Sequence, residues 1–364
     1  MVKLGIIGFG VHGRNTLARG VWDGRVKGGE ITAICDTNPE RLQWVHENHP
    51  SIKTFEKPED LLKSGLVDAI VVATPHYDHP TLAMMAMDAN LHVLIEKPAG
   101  VFTKDVRQMN EKAAKTDVVF SIMYNQRTNP IFRKMREMVH GGMLGEIKRF
   151  SWLITDWYRP QAYYNSGGWR ATWKGEGGGV LINQCPHNLD LWQWICGMPK
   201  SITAFVHEGK WHDIEVEDDV TAYAEYENGA TGVFITSTAD CPGNNRFEVL
   251  GDLGKLVCEK GVLTHTKLEM SEREFNRVNK EMFASPKAET SIIECPGEYP
   301  DHVGILNNFI KVINGEGELI ARGEEGINGL TISNAIHLSG WLNKTIELPL
   351  DEDLFLSELK KRWR

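Results

Sequence analysis

The chain has 364 residues, 41% hydrophobic and 24% charged, which exceeds one ordinary core and matches folded, soluble domains rather than disorder. A formal net charge of -9 argues against nucleic acid as a main partner, because a phosphate-binding surface needs a basic excess. No apolar run reaches the roughly 18 to 20 residues of a membrane span. The N-terminal MVKLGIIGFG has neither the apolar core nor the cleavage site of a secretory leader, so no membrane is expected and the cytoplasm is the default location.

KLGIIGFGVHGRN reads as a buried strand, a glycine turn of Gly8, Phe9, Gly10, Val11, His12 and Gly13, and a helix start. The second strand, ITAICD, ends at Asp36, about two dozen residues downstream, where a dinucleotide fold places a carboxylate. Gly8 suits the tight turn, Gly10 the approach of a pyrophosphate, and Gly13 close helix–strand packing, while the helix start offers unpaired N–H groups to phosphates. Asp36, followed by Thr37, would accept hydrogen bonds from ribose hydroxyls and repel a 2′-phosphate. With no arginine directly after the acid, NAD is expected over NADP. VDAIVVATP, the helix HPTLAMMAMDAN, LHVLIEKP and TDVVFSIMYN continue the alternation. The expected product is a parallel sheet whose carboxyl edge carries Thr74, Pro75, Glu96, Lys97 and Asn125.

From about residue 145 the pattern changes to longer alternating strands: EIKRFSWLIT, SITAFVHE, DDVTAYAEYE, ATGVFITSTAD, RFEVLGD and KLVCEKGVLTH. Period-2 alternation predicts a mostly antiparallel sheet with one covered face. An apolar outer face would serve association, and a homo-oligomer, dimer or tetramer, is expected. EEGINGLTISNAIHLSGWLNKTIELPL reads as a long amphipathic helix and a short strand, with His337 structural. The division expected is 1–125 for nucleotide binding and 126–364 for substrate and oligomerisation. The cysteines (Cys35, Cys185, Cys196, Cys241, Cys258, Cys295) contain no CxxC pair, favouring neither a zinc site nor disulfides, and no metal is expected.

Between the first two of these strands, GGGVLINQCPHNLD at 177–190 sets Asn183 four residues before His187, the spacing of one helix face. Asp190 would orient that imidazole or brace the helix. Trp152, Trp157, Trp169, Trp173, Trp192 and Trp194 cluster with Tyr163 and Arg170. Most of the indoles should be core, with one or two offered to ligand. NSGGWR and KGEGGG read as flexible loops bordering a pocket.

GFGVHG, ATPHYDH, EKP, YNQRTNP and the 177–190 segment together resemble the Gfo/Idh/MocA oxidoreductase family over nearly the whole length. The resemblance implies α/β architecture: an N-terminal Rossmann dinucleotide-binding domain and a C-terminal α/β domain with a large, mostly antiparallel open sheet. It implies NAD(P)-dependent oxidation of sugars, inositols and related polyols. It makes Lys97 the active-site lysine and His187 the catalytic histidine, and it places His79 near the cofactor, with His76 standing where asparagine is more usual. Inositol-type members have aspartate four residues before the histidine. Asn183 stands there instead; it can hydrogen-bond a hydroxyl but takes no proton. The stretch YYNSGGWRATWKGEGGGVLINQCPHNLDLWQWICGMP resembles a subgroup that oxidises glucosides at the 3-position.

The expected chemistry is oxidation of a secondary ring hydroxyl of a sugar, glycoside or inositol with NAD. His187 is the proton acceptor and Lys97 stabilises the developing oxyanion. Asn183, Tyr163 and Arg170 contact substrate. Two rivals stay open: a redox-assisted glycosidase that returns the hydride after cleavage, and a catalytically silent NAD-binding regulator.

Overall fold

The computed structural model describes residues 1–363 and divides into two compact units, one of Met1–Thr128 with Tyr299–Leu330 and one of Asn129–Glu298 with Thr331–Arg364.

The first unit has six strands: β1 (Val2–Ile7), β2 (Gly29–Cys35), β3 (Lys53–Phe55), β4 (Ala69–Val72), β5 (His92–Ile95) and β6 (Phe120–Ile122). The apolar runs of β1, β4, β5 and β6 are largely buried on both faces, while the short edge strand β3 is not. All pair in parallel, in the order β3-β2-β1-β4-β5-β6. The chain moves outward from β1 to β2 and β3, then returns to the other side of β1 with β4. The order therefore reverses at β1 and β4, and the loops there diverge to leave a crevice at the carboxyl ends. After β1 the chain winds into a helix, π-wound over Gly13–Ala18 and continuing as Arg19–Trp22. Phe9 is 1% exposed and packs edge-on against Trp22, with Trp44 also at 6.1 Å. The helix Asp301–Ile313 closes over this unit, its Ile310 methyl 2.6 Å from where a Cβ on Gly29 would lie.

In the second unit nine strands form one sheet: β7 (Ile147–Ile154), β8 (Ser201–Glu208), β9 (Glu217–Glu225), β10 (Thr231–Ser237), β11 (Asn245–Gly251), β12 (Gly254–Glu259), β13 (Val262–Leu268), β14 (Ala288–Ile293) and β15 (Ile346–Glu347). Its order is β14-β13-β12-β11-β7-β10-β9-β8-β15, antiparallel except for the β7–β10 pair. Alternate residues of β9 are buried and exposed, as period-2 patterning requires. The outward set includes Phe205 and Tyr223, and the inward set includes the stacked pair Trp152 and Phe247, centroids 4.1 Å apart.

Two expectations are corrected here, and one strand was not foreseen. KLVCEKGVLTH is two strands, not one: Lys260 and Gly261 both have positive φ, 50° and 74°, the pattern of a two-residue hairpin turn, so β12 folds back on β13. The strand β14, AETSII, had no alternation to reveal it; its side chains are almost all exposed. The helix Gly326–Leu342 is not amphipathic. Ile332 to Ser339 are covered on every side, including His337 and Asn334 at 0% exposure.

Among the described residues no helix is long and apolar enough to cross a membrane, and no disulfide joins the cysteines.

Candidate active site

The glycine turn after β1 is built to lie against a ligand. Gly8 has φ 95°, and a Cβ there would meet the Ala73 carbonyl at 2.5 Å; a Cβ on Gly13 would meet the Gly8 carbonyl at 2.3 Å. Only glycine fits these two positions. At Gly10 the nearest atom to an added Cβ is Arg41 Nη1 at 3.9 Å, so space lies open over the turn, as a pyrophosphate needs. Val11 is exposed and His12 half-exposed beside this space. Phe9 contributes through its backbone: its N–H donates to Asp36 Oδ2 at 2.6 Å.

Asp36 is buried at the end of β2, and its Oδ1 accepts from Asn38 N at 2.8 Å. An unforeseen cation lies beside it: Arg41 Nη1 is 3.0 Å from Oδ2. No arginine directly follows the acid in the sequence. One turn into the following helix brings Arg41 back to it. This geometry fits the adenosine ribose of NAD. Asp36→Ala should weaken NAD+ by about 10- to 100-fold, the worth of one or two hydrogen bonds to a charged group. It should also admit NADP, because Arg41 then faces a 2′-phosphate with no opposing carboxylate. Fluorescence titration with both dinucleotides measures this; a variant that still excludes NADP sinks the assignment.

Farther along the carboxyl edge, Glu96 follows β5 and is 6% exposed. Its Oε1 meets His12 Nε2 at 2.9 Å and its Oε2 accepts from Lys97 N at 3.2 Å. Burial opposes ionisation, but His12, His302 and Lys97 outweigh it and hold the carboxyl down at about 2. The same pairing raises the His12 pKa. Lys97 is half-buried. Asn125, following β6, donates to Asp301 and lies 3.4 Å from Tyr299 Oη and His302 Nδ1. Thr74 and Pro75 follow β4.

His79 is buried within this edge rather than displayed on it. It is fully buried, with Nδ1 2.7 Å from the Pro98 carbonyl and Nε2 2.9 Å from the Thr74 carbonyl. Burial lowers its pKa. The ring ties the loop after β4 to the loop after β5, and the structure gives it this bracing position rather than an open face. His76, also buried, has its ring 6.1 Å away.

In the second unit, GGGVLINQCPHNLD is not one helix. Pro186 opens the helix Pro186–Cys196, as proline does in a first turn, so His187 is its second residue. Asn183 lies before it, in a run of turns in which its N–H donates to the Gly179 carbonyl at 3.0 Å. The one-face spacing expected for the pair is therefore replaced by a turn feeding a helix start. The glycines hold the backbone against Glu217: Gly179 N and Leu181 N donate to its carboxylate at 2.8 and 2.9 Å, and a Cβ on Gly179 would meet the Glu217 carbonyl at 2.0 Å. Asp190 is fully buried and accepts from Gln193 at 3.0 Å.

Around Asn183 a polar set converges. Arg170 Nη1 donates to Tyr163 Oη at 2.7 Å, Gln184 Nε2 approaches the same oxygen at 3.3 Å, and Tyr163 Oη lies 3.5 Å from Asn183 Oδ1. Glu176 completes the set and was missed from sequence. It is 1% exposed, accepts from Ala171 N at 2.6 Å and from Asn183 Nδ2, and has Arg170 Nη1 at 3.5 Å. Asn183 thus sits directly against a carboxylate, although no acidic residue stands at its own position. Burial, reinforced by Glu217, raises the Glu176 pKa, against the pull of Ala171, Asn183 and Arg170. Of the tryptophans, Trp152, Trp173 and Trp192 are core, while Trp169 is exposed beside Arg170, whose guanidinium lies 4.7 Å from its ring centroid.

Because its folded pKa exceeds the ordinary 4.5, ionised Glu176 costs stability above that range. The stability of the wild type relative to Glu176→Gln should therefore rise as pH falls toward 4.5 and level off below it. Thermal unfolding of both proteins across pH reads this slope, and a pH-independent difference rejects it.

A model of the oxidoreductase family with an NAD-binding Rossmann fold matches residues 2–124, and the GFO/IDH/MocA C-terminal domain matches residues 132–257. Myo-inositol 2-dehydrogenase of Thermotoga maritima is 25% identical over 71% of this chain and 75% of its own. D-glucoside 3-dehydrogenase of Escherichia coli is 28% identical over 58% of this chain and 63% of its own. The crystal structure of the WlbA dehydrogenase from Bordetella pertussis, in complex with NADH and UDP-GlcNAcA, superposes with a TM-score of 0.79 at 27% identity, covering 96% of this chain and 99% of that one. With the glycine turn and its carboxylate, these matches make NAD the cofactor, and the chain belongs to the Gfo/Idh/MocA family of NAD-dependent oxidoreductases.

Proposed function

We propose that the protein is an NAD-dependent dehydrogenase that oxidises a secondary ring hydroxyl of a neutral sugar, glycoside or inositol. NAD+, when bound, supplies the hydride acceptor. His187 takes the hydroxyl proton, a task suited to imidazole because it exchanges protons near neutrality. Lys97 stabilises the negative charge that develops on the same oxygen. Asn183, Tyr163 and Arg170 hold the neighbouring hydroxyls.

The observation that carries the neutral-substrate reading is the pairing inside the polar set. Arg170 lies against Glu176, so its charge is answered within the protein and the set presents hydroxyl, amide and guanidinium N–H groups without a net cationic centre. Such a set suits polyhydroxyl ligands, whereas an acidic sugar needs an uncompensated cation. Relatives named for myo-inositol and for a D-glucoside support the polyol and glycoside class.

A panel of inositols, glycosides, free sugars and uronates with NAD+, followed by NADH absorbance and product NMR, tests the reading. Stoichiometric NADH with a new ring ketone is expected from a neutral member. Turnover confined to uronates overturns the substrate class, and glycoside cleavage without net NADH overturns the reaction.

A further inference from the structure

His12, Glu96 and His302 each offer a ligand atom, and these atoms all lie within 4.8 Å of one another. All three belong to the first unit, and neither the cofactor assignment nor the substrate reading gives this trio a joint role. We propose that it is a binding site for a divalent transition-metal ion of the zinc class, competitive with the dinucleotide.

The donor chemistry selects the ion. Two imidazoles and one carboxylate are a set that zinc and its neighbours accept with one coordination position left for solvent, whereas calcium and magnesium require mostly oxygen donors. His12 Nε2 and Glu96 Oε1 are already 2.9 Å apart, inside the spacing of about 3.4 Å that tetrahedral bonds of about 2.1 Å impose. His302 closes the remainder by a side-chain movement of at most about 1.4 Å, the difference between that spacing and the present outer limit of 4.8 Å.

A second feature is independent of these three distances. Metal-bound histidines commonly give their other ring nitrogen to a carboxylate, which sets the tautomer and the ring's orientation. His302 Nδ1 lies 3.0 Å from Asp301 Oδ1, and Asp301 is itself held by Asn125 and by Tyr299 Oη at 3.1 Å. That arrangement assigns Nε2 of His302 to the metal and supplies the outer carboxylate ready-made.

Competition follows from topology. His12 follows β1 and Glu96 follows β5, with β4 between them. The contact therefore spans two strand spacings, about 9.6 Å, across the carboxyl ends where the dinucleotide lies. An ion joining His12 to Glu96 pins that crossing shut.

Full-length protein stripped with chelator and titrated with Co2+, then with Zn2+ to displace it, is the test. One equivalent of Co2+ with visible d–d absorbance is expected. His12→Ala and His302→Ala should abolish that equivalent. Asp301→Asn, which keeps a residue tolerant of the positive φ of 54° there, should weaken it by about tenfold. Saturating NAD+ should displace the ion. Circular dichroism establishes that each variant is folded. Co2+ binding unaltered by either histidine substitution, or absence of a one-equivalent site in the wild type, overturns the site; Co2+ retained in full under saturating NAD+ overturns the competition. Dehydrogenase turnover is not the readout, so failure here leaves the proposed reaction standing.

Discussion

His187→Ala should lower kcat on the preferred polyol by about 100- to 10,000-fold, the usual contribution of a positioned general base. NAD+ affinity should be unchanged, because the glycine turn and Asp36, to which we assign the dinucleotide, belong to the first unit. The pH profile separates this role from a structural one. With a histidine base, the rate falls on the acid side as the imidazole takes up its proton. In the alanine variant that limb should disappear, and added imidazole should restore part of the rate. Stopped-flow NADH formation across pH measures both. An alanine variant that retains the acid limb and more than about a tenth of the wild-type rate, above the loss a base entails, removes His187 from the chemistry.

How much of this was legible in the sequence depends on whether a feature is written locally. Gly8, Gly10, Gly13 and Asp36 carry local constraints of turn, close approach and strand end, and all four lie where the spacing puts them. The parallel first sheet and the mostly antiparallel second one were readable from continuous against alternating apolar runs. The helix face expected for Asn183 and His187 failed because an i, i+4 count says nothing about where a helix starts. Pro186 was the available signal, since proline opens helices far more readily than it continues them.

Glu176 illustrates the opposite limit. Within KGEGGG it looks like a solvated charge in a flexible loop, yet it is 1% exposed. Its burial depends on Ala171 N, Asn183 and Arg170 arriving around it, and only the folded loop supplies those partners. A lone glutamate among glycines beside a functional motif was the one trace available. Nor does anything in the sequence of 299–330 say that this segment packs with the nucleotide sheet; Asn125 meets Asp301 and Gly29 meets Ile310 across some 175 and 280 positions. Long-range returns of this kind leave no periodicity to count.

Lys97→Ala should reduce kcat by about 100- to 1,000-fold, the cost of deleting one donor to a developing oxyanion. The loss should fall on the hydride step. With substrate deuterated at the carbinol carbon, the isotope effect on kcat should therefore grow in the variant as chemistry becomes rate-limiting. Lys97→Arg keeps the charge but spreads it over a planar fork of different reach, so recovery should be partial. Position complicates the experiment: Lys97 N donates to Glu96, and the adjoining Pro98 carbonyl is held by His79, so the backbone here also shapes the dinucleotide edge. Those contacts come from the main chain and survive a side-chain truncation. NAD+ affinity should accordingly stay near wild type while kcat collapses. If the alanine variant instead loses activity wholly through a raised KM for NAD+, with kcat and the isotope effect unchanged, Lys97 serves the cofactor alone and the oxyanion must be stabilised elsewhere.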